Sequence, residues 1–208
     1  MKKDLLQAVR FYGILDTGYV SSGGWETKCR ALLEGGAGIV QLRAKKESHA
    51  QRRNLLERIL PMFEGTTVPL VVNDDLELVA DFPGVGLHVG QDDACPRVAR
   101  ERLGPEAVLG LSTHSREQAA HAIEQSDVLD YFAVGPVFPT ATKPDYPAVG
   151  LELVRTVRGM APPLPFFCIG GIDLKNAAEV RAAGGEGLVA VSAVLCAEDG
   201  SAVVQAFA

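Results

Sequence analysis

The sequence predicts an α/β protein that folds as a single domain, a (β/α)8 TIM barrel, over residues 1–208. Short apolar runs alternate with longer stretches of helical period, which is typical of βαβ units around a parallel sheet. The runs number eight, the strand count of this barrel, whose usual length begins near about 200 residues. Polar side chains collect just after the runs, where such barrels hold their sites. A doubly wound open sheet is the structural alternative.

Each predicted strand is a short, mostly apolar run, and each is followed by a helix or a helix-like turn. The predicted strands are residues 11–15, 38–42, 69–72, 85–89, 107–111, 131–134, 166–169 and 188–191. The predicted helices are residues 24–34, 48–62, 75–80, 95–103, 115–125, 150–159, 173–183 and a weaker 200–207. Glycine pairs follow two of the helices, Gly35-Gly36 and Gly184-Gly185, as glycine does at helix C-termini.

The composition excludes two classes of function. The chain is 47% hydrophobic, 22% charged and carries a formal charge of −6, which argues against a nucleic-acid protein with a broad basic face. No run approaches the ~20 apolar residues of a membrane span, and the N-terminus lacks the apolar core of a signal peptide. The four cysteines are not at metal-ligand spacing, and Cys168 is expected to be a buried free thiol. We therefore expect a cytoplasmic protein.

The second predicted strand ends in three polar side chains on one face. Period-2 alternation places Gln41, Arg43 and Lys45 together and Leu42 on the opposite face. A glutamine and two cations at the end of a barrel strand suit a phosphate or a pyrophosphate. The alternative is a solvated strand end that leads into a basic helix start at Lys46.

Acidic residues follow the third and fourth predicted strands. Asn73 and Asp74 end one strand, and Asp92 and Asp93 follow the other. Each pair could simply cap the next helix. Because the ends of adjacent strands are close in a barrel, Asp74 and Asp93 could instead share a Mg²⁺ ion, which proteins usually hold with one or two carboxylates plus substrate phosphates.

Hydroxyl groups and a histidine follow the fifth predicted strand. Ser112, Thr113 and Ser115 offer hydroxyls, one of which is expected to cap the following helix. His114 is a candidate general acid, although a structural or exposed role is the alternative. His88 lies within a strand and is expected to be an interior histidine with hydrogen-bond partners.

The stretch GPVFPTATKP, residues 135–144, follows the sixth predicted strand. It places Thr140, Thr142 and Lys143 close together, a combination that suits an anion better than a plain connection. A proline-rich lid over a site made elsewhere is compatible with this interpretation.

Paired glycines follow the seventh predicted strand. Gly170 and Gly171 allow the backbone to approach a ligand closely. The loops after the seventh and eighth strands of such barrels often bind phosphate through backbone N–H groups and a short helix N-terminus.

The blocks FYGILD, QLRAK, VVNDD, GLHVGQDD, GLSTHS, DYFAVGPVFPTATKP, IGGI and AVSAV, in this order, resemble the thiamine phosphate synthase (thiamine-phosphate pyrophosphorylase) family from Phe11 to about Leu195. The resemblance implies a Mg²⁺-dependent transferase that joins a hydroxymethylpyrimidine diphosphate to a thiazole phosphate, or its carboxylate, and releases pyrophosphate. Its partners are small phosphorylated substrates, and we expect no nucleic acid, no membrane and, as one assembly that the sequence leaves open, a homodimer.

The resemblance also assigns roles by matching position. It assigns Mg²⁺ to Asp74 and Asp93, and catalysis to Arg43, Ser112 and Lys143. The family often has Glu at the position of Ala44. Substrate binding is implied for Gln41, Leu42, Arg43, Ala44, Lys45, Asn73, Ser112, Thr140, Ala141, Thr142, Lys143, Gly171, Val191 and Ser192.

Three other functions are alternatives to this one. A related thiazole tautomerase barrel generally lacks the NDD and GQDD acidic pair, which this chain keeps. A phosphate-binding barrel without catalysis would be expected to have lost Asp74, Asp93 or Lys143. Another phosphate-handling barrel isomerase would need an acid/base pair and no Mg²⁺ ligands.

Overall fold

The computed structural model describes residues 2–21, 23–140 and 146–207. The strands are β1 Phe11–Asp16, β2 Ile39–Arg43, β3 Leu70–Asn73, β4 Gly86–Val89, β5 Leu109–Thr113, β6 Tyr131–Val134, β7 Phe166–Ile169 and β8 Gly187–Ala190. The helices are α1 Lys2–Gln7, α2 Trp25–Glu34, α3 His49–Ile59, α4 Leu76–Ala80, α5 Pro96–Leu103, α6 Arg116–Glu124, α7 Gly150–Gly159, α8 Ala177–Ala182, α9 Ser192–Leu195 and α10 Gly200–Phe207. A 3₁₀ turn, Leu60–Phe63, extends α3.

The strands close into a parallel barrel in sequence order, and β8 pairs with β1. This confirms the predicted TIM barrel and excludes the open doubly wound sheet. All carboxyl ends of the strands therefore meet at one end of the barrel, where a site is expected.

The strands separate two apolar layers by strict alternation. Outward side chains such as Leu15, Leu42 and Phe132 pack under the helices in the larger core. Inward side chains, among them Tyr12 and Tyr131, fill the barrel interior. Because both faces are covered, the strands are nearly continuous in apolar residues, as expected for a parallel sheet.

The helix ends follow the expected chemistry. Ser48 and Gln51 form a capping box at the start of α3. Gly36 and Gly184, which follow α2 and α8, have φ of 91° and 101°, which L side chains rarely adopt. The structure differs from the sequence-based prediction at α8, which begins four residues late, and at the short α1 and α9. Helices of so few residues show no clear period.

Helix α1 covers the amino end of the barrel. Its Leu6 is buried among the inward side chains. The Lys2 ammonium lies 2.9 Å from the buried Asp130 carboxylate, whose other oxygen is 2.7 Å from an Arg100 nitrogen and accepts from the backbone N–H of Leu109. The helix is thus held by the burial of Leu6 and by the polar contacts of Lys2, which also donates to the carbonyl oxygens of Pro105 and Ala107.

No helix in the described part of the chain is long and apolar enough to cross a membrane.

Candidate active site

A cavity opens at the carboxyl ends of the strands. It brings together eight of the predicted site residues: Gln41, Arg43, Asn73, Ser112, Thr140, Gly171, Val191 and Ser192. Apolar side chains such as Ile14, Ala133 and Ile169 line the wall between them. An apolar cavity with a few convergent polar groups is typical of a small-molecule site.

Arg43 is fixed by a buried carboxylate. Its Nη1 atom donates to Asp16 Oδ2 over 2.5 Å, and the two side chains are only 15% and 4% exposed. Asp16 Oδ1 also accepts from the backbone N–H of Gly18. This pairing holds the guanidinium at the cavity wall. Asp16 was not predicted as a site residue, although the alternation of FYGILD places it on the same inward face as Tyr12 and Ile14.

Asp74 and Asp93 lie within hydrogen-bonding reach of each other. Asp74 directly follows Asn73, which lines the cavity, although neither aspartate lines it. Partial desolvation and the hydrogen-bonding neighbour Asp74 raise the pKa of Asp93 above the usual range of an aspartic acid. Lys45 Nζ lies 2.7 Å from Asp74 Oδ2, and the backbone N–H of Gly90 donates to Asp93 Oδ2 over 2.8 Å. The two carboxylates therefore lie together, and their assignment as metal ligands stays a prediction.

Helix capping does not explain this acidic pair. Asp75, and not Asp74, caps α4 by accepting from the backbone N–H of Leu78. Helix α5 begins after Cys95 without a side-chain cap. Asp74 itself has φ of 67°, a left-handed conformation that is uncommon for a residue with a side chain.

The acidic pair fits a divalent cation that is completed by its ligand. Two adjacent carboxylates, one with a raised pKa, form a site whose repulsion a cation would relieve. Among the described residues, no group of three or more His, Cys, Asp or Glu side chains is placed to hold a metal ion. A Mg²⁺ ion needs only one or two carboxylates when substrate phosphates and waters supply the remaining oxygens.

The opposite side of the cavity is built from backbone. Gly171 has φ of 62°, and a Cβ there would lie 2.6 Å from the carbonyl oxygen of Pro139, so only glycine fits this close turn. Val191 and Ser192 stand at the start of α9 and line the same side. Backbone N–H groups at such a turn suit a phosphate.

A chain of buried hydrogen bonds runs beneath the cavity. Gln41 Nε2 donates to the Tyr12 hydroxyl over 2.6 Å, and the Tyr12 and Tyr131 hydroxyls lie 2.8 Å apart. His88 Nδ1 is 2.9 Å from the Tyr131 hydroxyl, and His88 Nε2 is 2.9 Å from Ser112 Oγ. The prediction of His88 as a bonded interior histidine is confirmed, whereas the role of the two tyrosines was missed.

The remaining hydroxyls and His114 lie around Ser112. The Thr113 hydroxyl donates to the Ala133 carbonyl oxygen, and Ser115 caps α6 as expected. His114 Nδ1 is 2.5 Å from the Gly135 carbonyl oxygen, and its ring is 4.6 Å from that of Tyr146. These contacts hold His114 at the cavity wall.

Some of the predicted site residues stand elsewhere. Leu42 is buried in the outward core, so only its backbone faces the strand ends, and Ala44 is buried as well. Ala141, Thr142 and Lys143 lie outside the described residues.

Comparisons with known proteins identify the family of this chain. A family model described as thiamine monophosphate synthase matches residues 11–194. The chain belongs to the thiamine monophosphate synthase family. It is 38% identical over 200 residues to the thiamine-phosphate synthase of Chloroflexus aurantiacus, with 94% of this chain and 89% of that protein covered. It is 42% identical over 196 residues to that of an Arthrobacter species, with 84% and 83% covered.

A solved structure supports the same family assignment. The thiamine phosphate pyrophosphorylase of Pyrococcus furiosus superposes with a TM-score of 0.78 at 28% identity, with 98% of this chain and 95% of that chain covered. A 3-hexulose-6-phosphate synthase has a TM-score of 0.66 at 17% identity and covers 95% of this chain and 97% of its own, which shows the shared barrel alone.

Proposed function

We propose that this member of the thiamine monophosphate synthase family is a transferase that joins hydroxymethylpyrimidine diphosphate to thiazole phosphate, or its carboxylate, and releases pyrophosphate. The observation that carries the proposal is the acidic pair Asp74 and Asp93 beside a cavity with Arg43 on its wall. Carboxylates and cations together suit a diphosphate with a divalent metal, whereas carboxylates alone would repel it.

Asp74 and Asp93 would hold a Mg²⁺ ion, which when bound supplies positive charge that stabilises a departing pyrophosphate. Lys45, paired with Asp74, and Arg43, fixed by Asp16, add cations at the same side. Preorganised charge aimed at developing negative charge is the largest source of rate acceleration in many enzymes. Lys143 is proposed as a further cation on the resemblance of its motif.

The chain's other cavity residues bind, orient and exclude water. Ser112 and Asn73 offer hydrogen bonds next to the cations, and Gln41 faces the same space. Ile14 and Ile169 form apolar walls against which an aromatic ring can lie. Glycine backbone at Gly171 and the start of α9 would take the phosphate of the second substrate, and Thr140 stands between the two sides.

An assay of pyrophosphate release with both substrates tests the proposal. We expect activity that EDTA abolishes and Mg²⁺ restores, and that falls at least ~100-fold in Asp74→Ala, as for loss of a charged electrostatic group. Asp127→Ala is the matched control, because Asp127 pairs with Arg97 on the exposed surface and should leave the rate unchanged. Full activity in EDTA and in Asp74→Ala would refute the metal assignment.

The tautomerase alternative has its own test. Thiazole carboxylate phosphate supplied alone should remain unchanged on incubation with the protein. Its isomerisation without the pyrimidine diphosphate would favour that sister function.

The proposal extends to a cytoplasmic location, which is supported by the four cysteines, all of them free, since disulfides are rare in a reducing compartment. A homodimer is one assembly that the sequence leaves open, and light scattering coupled to size-exclusion chromatography would measure the oligomeric state.

A further inference from the structure

Five side chains link two sides of the cavity through the barrel interior. Gln41 and Ser112 stand at the ends, and the links between them are Tyr12, Tyr131 and His88. All five residues are buried, and the spacings of 2.6 to 2.9 Å are those of hydrogen bonds. Such a chain has a direction, because each hydroxyl has one proton to donate.

The donor at the Gln41 end fixes that direction. Gln41 Nε2 donates to Tyr12, so the Tyr12 proton is directed to Tyr131 and the Tyr131 proton to His88 Nδ1. His88 must then carry its proton on Nε2, which donates to Ser112 Oγ. In this direction Ser112 Oγ accepts a hydrogen bond from His88, so the Ser112 proton remains available to a ligand in the cavity that Ser112 lines.

Only one other direction satisfies every buried group. If Gln41 turned its Oε1 atom to Tyr12, all the bonds would reverse, and the Ser112 proton would be directed to His88 Nε2. With a neutral His88 ring, any mixed arrangement leaves either a buried phenol proton without an acceptor or the two phenol oxygens without a proton between them, which is costly. The two ends are therefore coupled: a donor at Ser112 requires that Gln41 leave its Oε1 acceptor for the ligand.

We propose that Tyr12, Tyr131 and His88 are positioning residues that make Ser112 a hydrogen-bond donor to the diphosphate and Gln41 an acceptor for an N–H group on the aromatic ring of the same substrate. The inference deepens the proposed function and rests on it for the identity of the ligand. An anion requires a donor at Ser112, and the Gln41 orientation in the structure, with Nε2 toward Tyr12, has the same direction.

The packing around Tyr131 shows that the chain is built into the barrel. Gly110 lies opposite Tyr131 in the sheet, and a Cβ there would come within 2.1 Å of the Tyr131 ring carbon Cζ. Tyr12 and Phe167 contact the same ring edge to face, with centroids 5.7 and 5.4 Å away. Burial raises the pKa of both tyrosines, so each phenol keeps the proton that the chain needs.

The first experiment reads the His88 tautomer by long-range ¹H–¹⁵N correlation in ¹⁵N-labelled protein, with the signals assigned by a His88→Gln variant. We expect the proton on Nε2 in the wild-type protein, with and without inorganic pyrophosphate. Gln41→Glu can only accept from Tyr12, so its His88 should move the proton to Nδ1. A wild-type proton on Nδ1, a doubly protonated ring, or no change in Gln41→Glu overturns the proposal.

The second experiment is a double-mutant cycle on steady-state rates. Tyr131→Phe and Ser112→Ala should each lower kcat/KM for the pyrimidine diphosphate roughly 10- to 100-fold, the range for a hydrogen bond to a charged group. Combining them should cost less than the product of the two separate losses, because Tyr131 acts in part through Ser112. Independent, multiplying losses overturn the coupling.

Two controls keep the outcomes distinct. Thr66→Val removes a hydroxyl that donates to the Phe63 carbonyl oxygen, away from the cavity, and should leave kcat/KM unchanged. If Tyr131→Phe does not fold, as judged by circular dichroism, the tautomer reading in Gln41→Glu decides alone. The tautomer measurement does not require catalysis. If the wild-type protein is inactive but the His88 proton still moves in Gln41→Glu, the hydrogen-bond chain is supported and only the proposed function is refuted.

Discussion

Repulsion between Asp74 and Asp93 should lower the stability of the metal-free protein. The substitution Asp93→Asn, which removes one of the two charges, tests this directly. Asn keeps an oxygen that can accept from the Gly90 N–H, as Asp93 does, and its amide can donate to Asp74. The substitution therefore removes one charge and retains the local bonds. We expect the metal-free variant to be more stable than the wild-type protein and unable to use Mg²⁺ well.

The magnitude follows from the geometry. Two like charges about 4 Å apart repel by ~1 kcal/mol in water and ~4 kcal/mol at an effective dielectric constant of about 20. Asp93 is exposed, and Lys45 neutralises part of the Asp74 charge, so the lower end applies. A gain of about 1 kcal/mol corresponds to a rise in Tm of roughly 2–4 °C for a chain of this size.

The pH dependence has a definite sign. The pKa of Asp93 is raised in the folded protein, so the folded state holds the proton more tightly than the unfolded state. Its contribution to stability is full below the unfolded pKa, near about 3.9, and is lost as pH rises through the higher folded pKa. The stability advantage of Asp93→Asn in EDTA should therefore grow across that window and vanish at lower pH.

Scanning calorimetry in EDTA and in saturating Mg²⁺ measures both effects. Mg²⁺ at 100 times its dissociation constant would stabilise the wild-type protein by about 2.7 kcal/mol, and the increment should shrink in Asp93→Asn. Asp92→Asn is the matched control, since it is the neighbouring exposed aspartate. A metal-free Asp93→Asn that melts at or below the wild-type temperature would refute the argument from repulsion.

Three further results are expected. Asp16→Asn releases the Arg43 guanidinium, so kcat/KM should fall roughly 10- to 100-fold, the loss of a charged hydrogen bond worth about 1.5–3 kcal/mol; an unchanged value would show that other contacts hold Arg43. Gly171→Ala should lower the Tm more than Gly36→Ala does, because both have positive φ but only Gly171 has an atom, the Pro139 oxygen, within 2.6 Å of the new Cβ; equal losses in calorimetry would contradict this. Titration with a thiol reagent should find two reactive thiols in the native protein and four after unfolding, because burial raises the pKa of two of them to about 12, and four fast thiols would contradict it. The slow thiols are Cys29 and Cys168, and the fast ones are Cys95 and Cys196.

The fold was predictable because the barrel repeats one local pattern. Eight apolar runs and the helices between them carry the period of each element, and the parallel sheet buries both faces of every strand. The bounds differ by one or two residues at most strands. Helices α1 and α9 were not predicted and α8 begins later than predicted, because four to six residues display little of a helical period. Helix α4 is equally short but was predicted, because Asp74 and Asp75 mark its start.

The candidate site was predictable where one residue type carries the chemistry. The charges of Arg43, Asp74 and Asp93 follow from strand ends alone. The partners that hold these side chains could not be predicted. Asp16 lies on a different strand from Arg43, and no local sequence pattern indicates that the two side chains pair. Tyr131 could not be distinguished from an ordinary apolar strand residue, because the partners of its hydroxyl, Tyr12 and His88, lie on strands far away in the sequence.

Helix α1 has a practical consequence for anyone handling the protein. The barrel floor carries a nearly solvent-free carboxylate, Asp130, which Lys2 and Arg100 neutralise together, and the neighbouring Leu6 plugs the opening. A purification tag that displaces these first residues would break the ion pair between Lys2 and Asp130 and leave Arg100 as the partner of that carboxylate. We expect such a tag to lower the Tm. The kinetic constants should stay unchanged, because the cavity lies at the opposite end of the barrel.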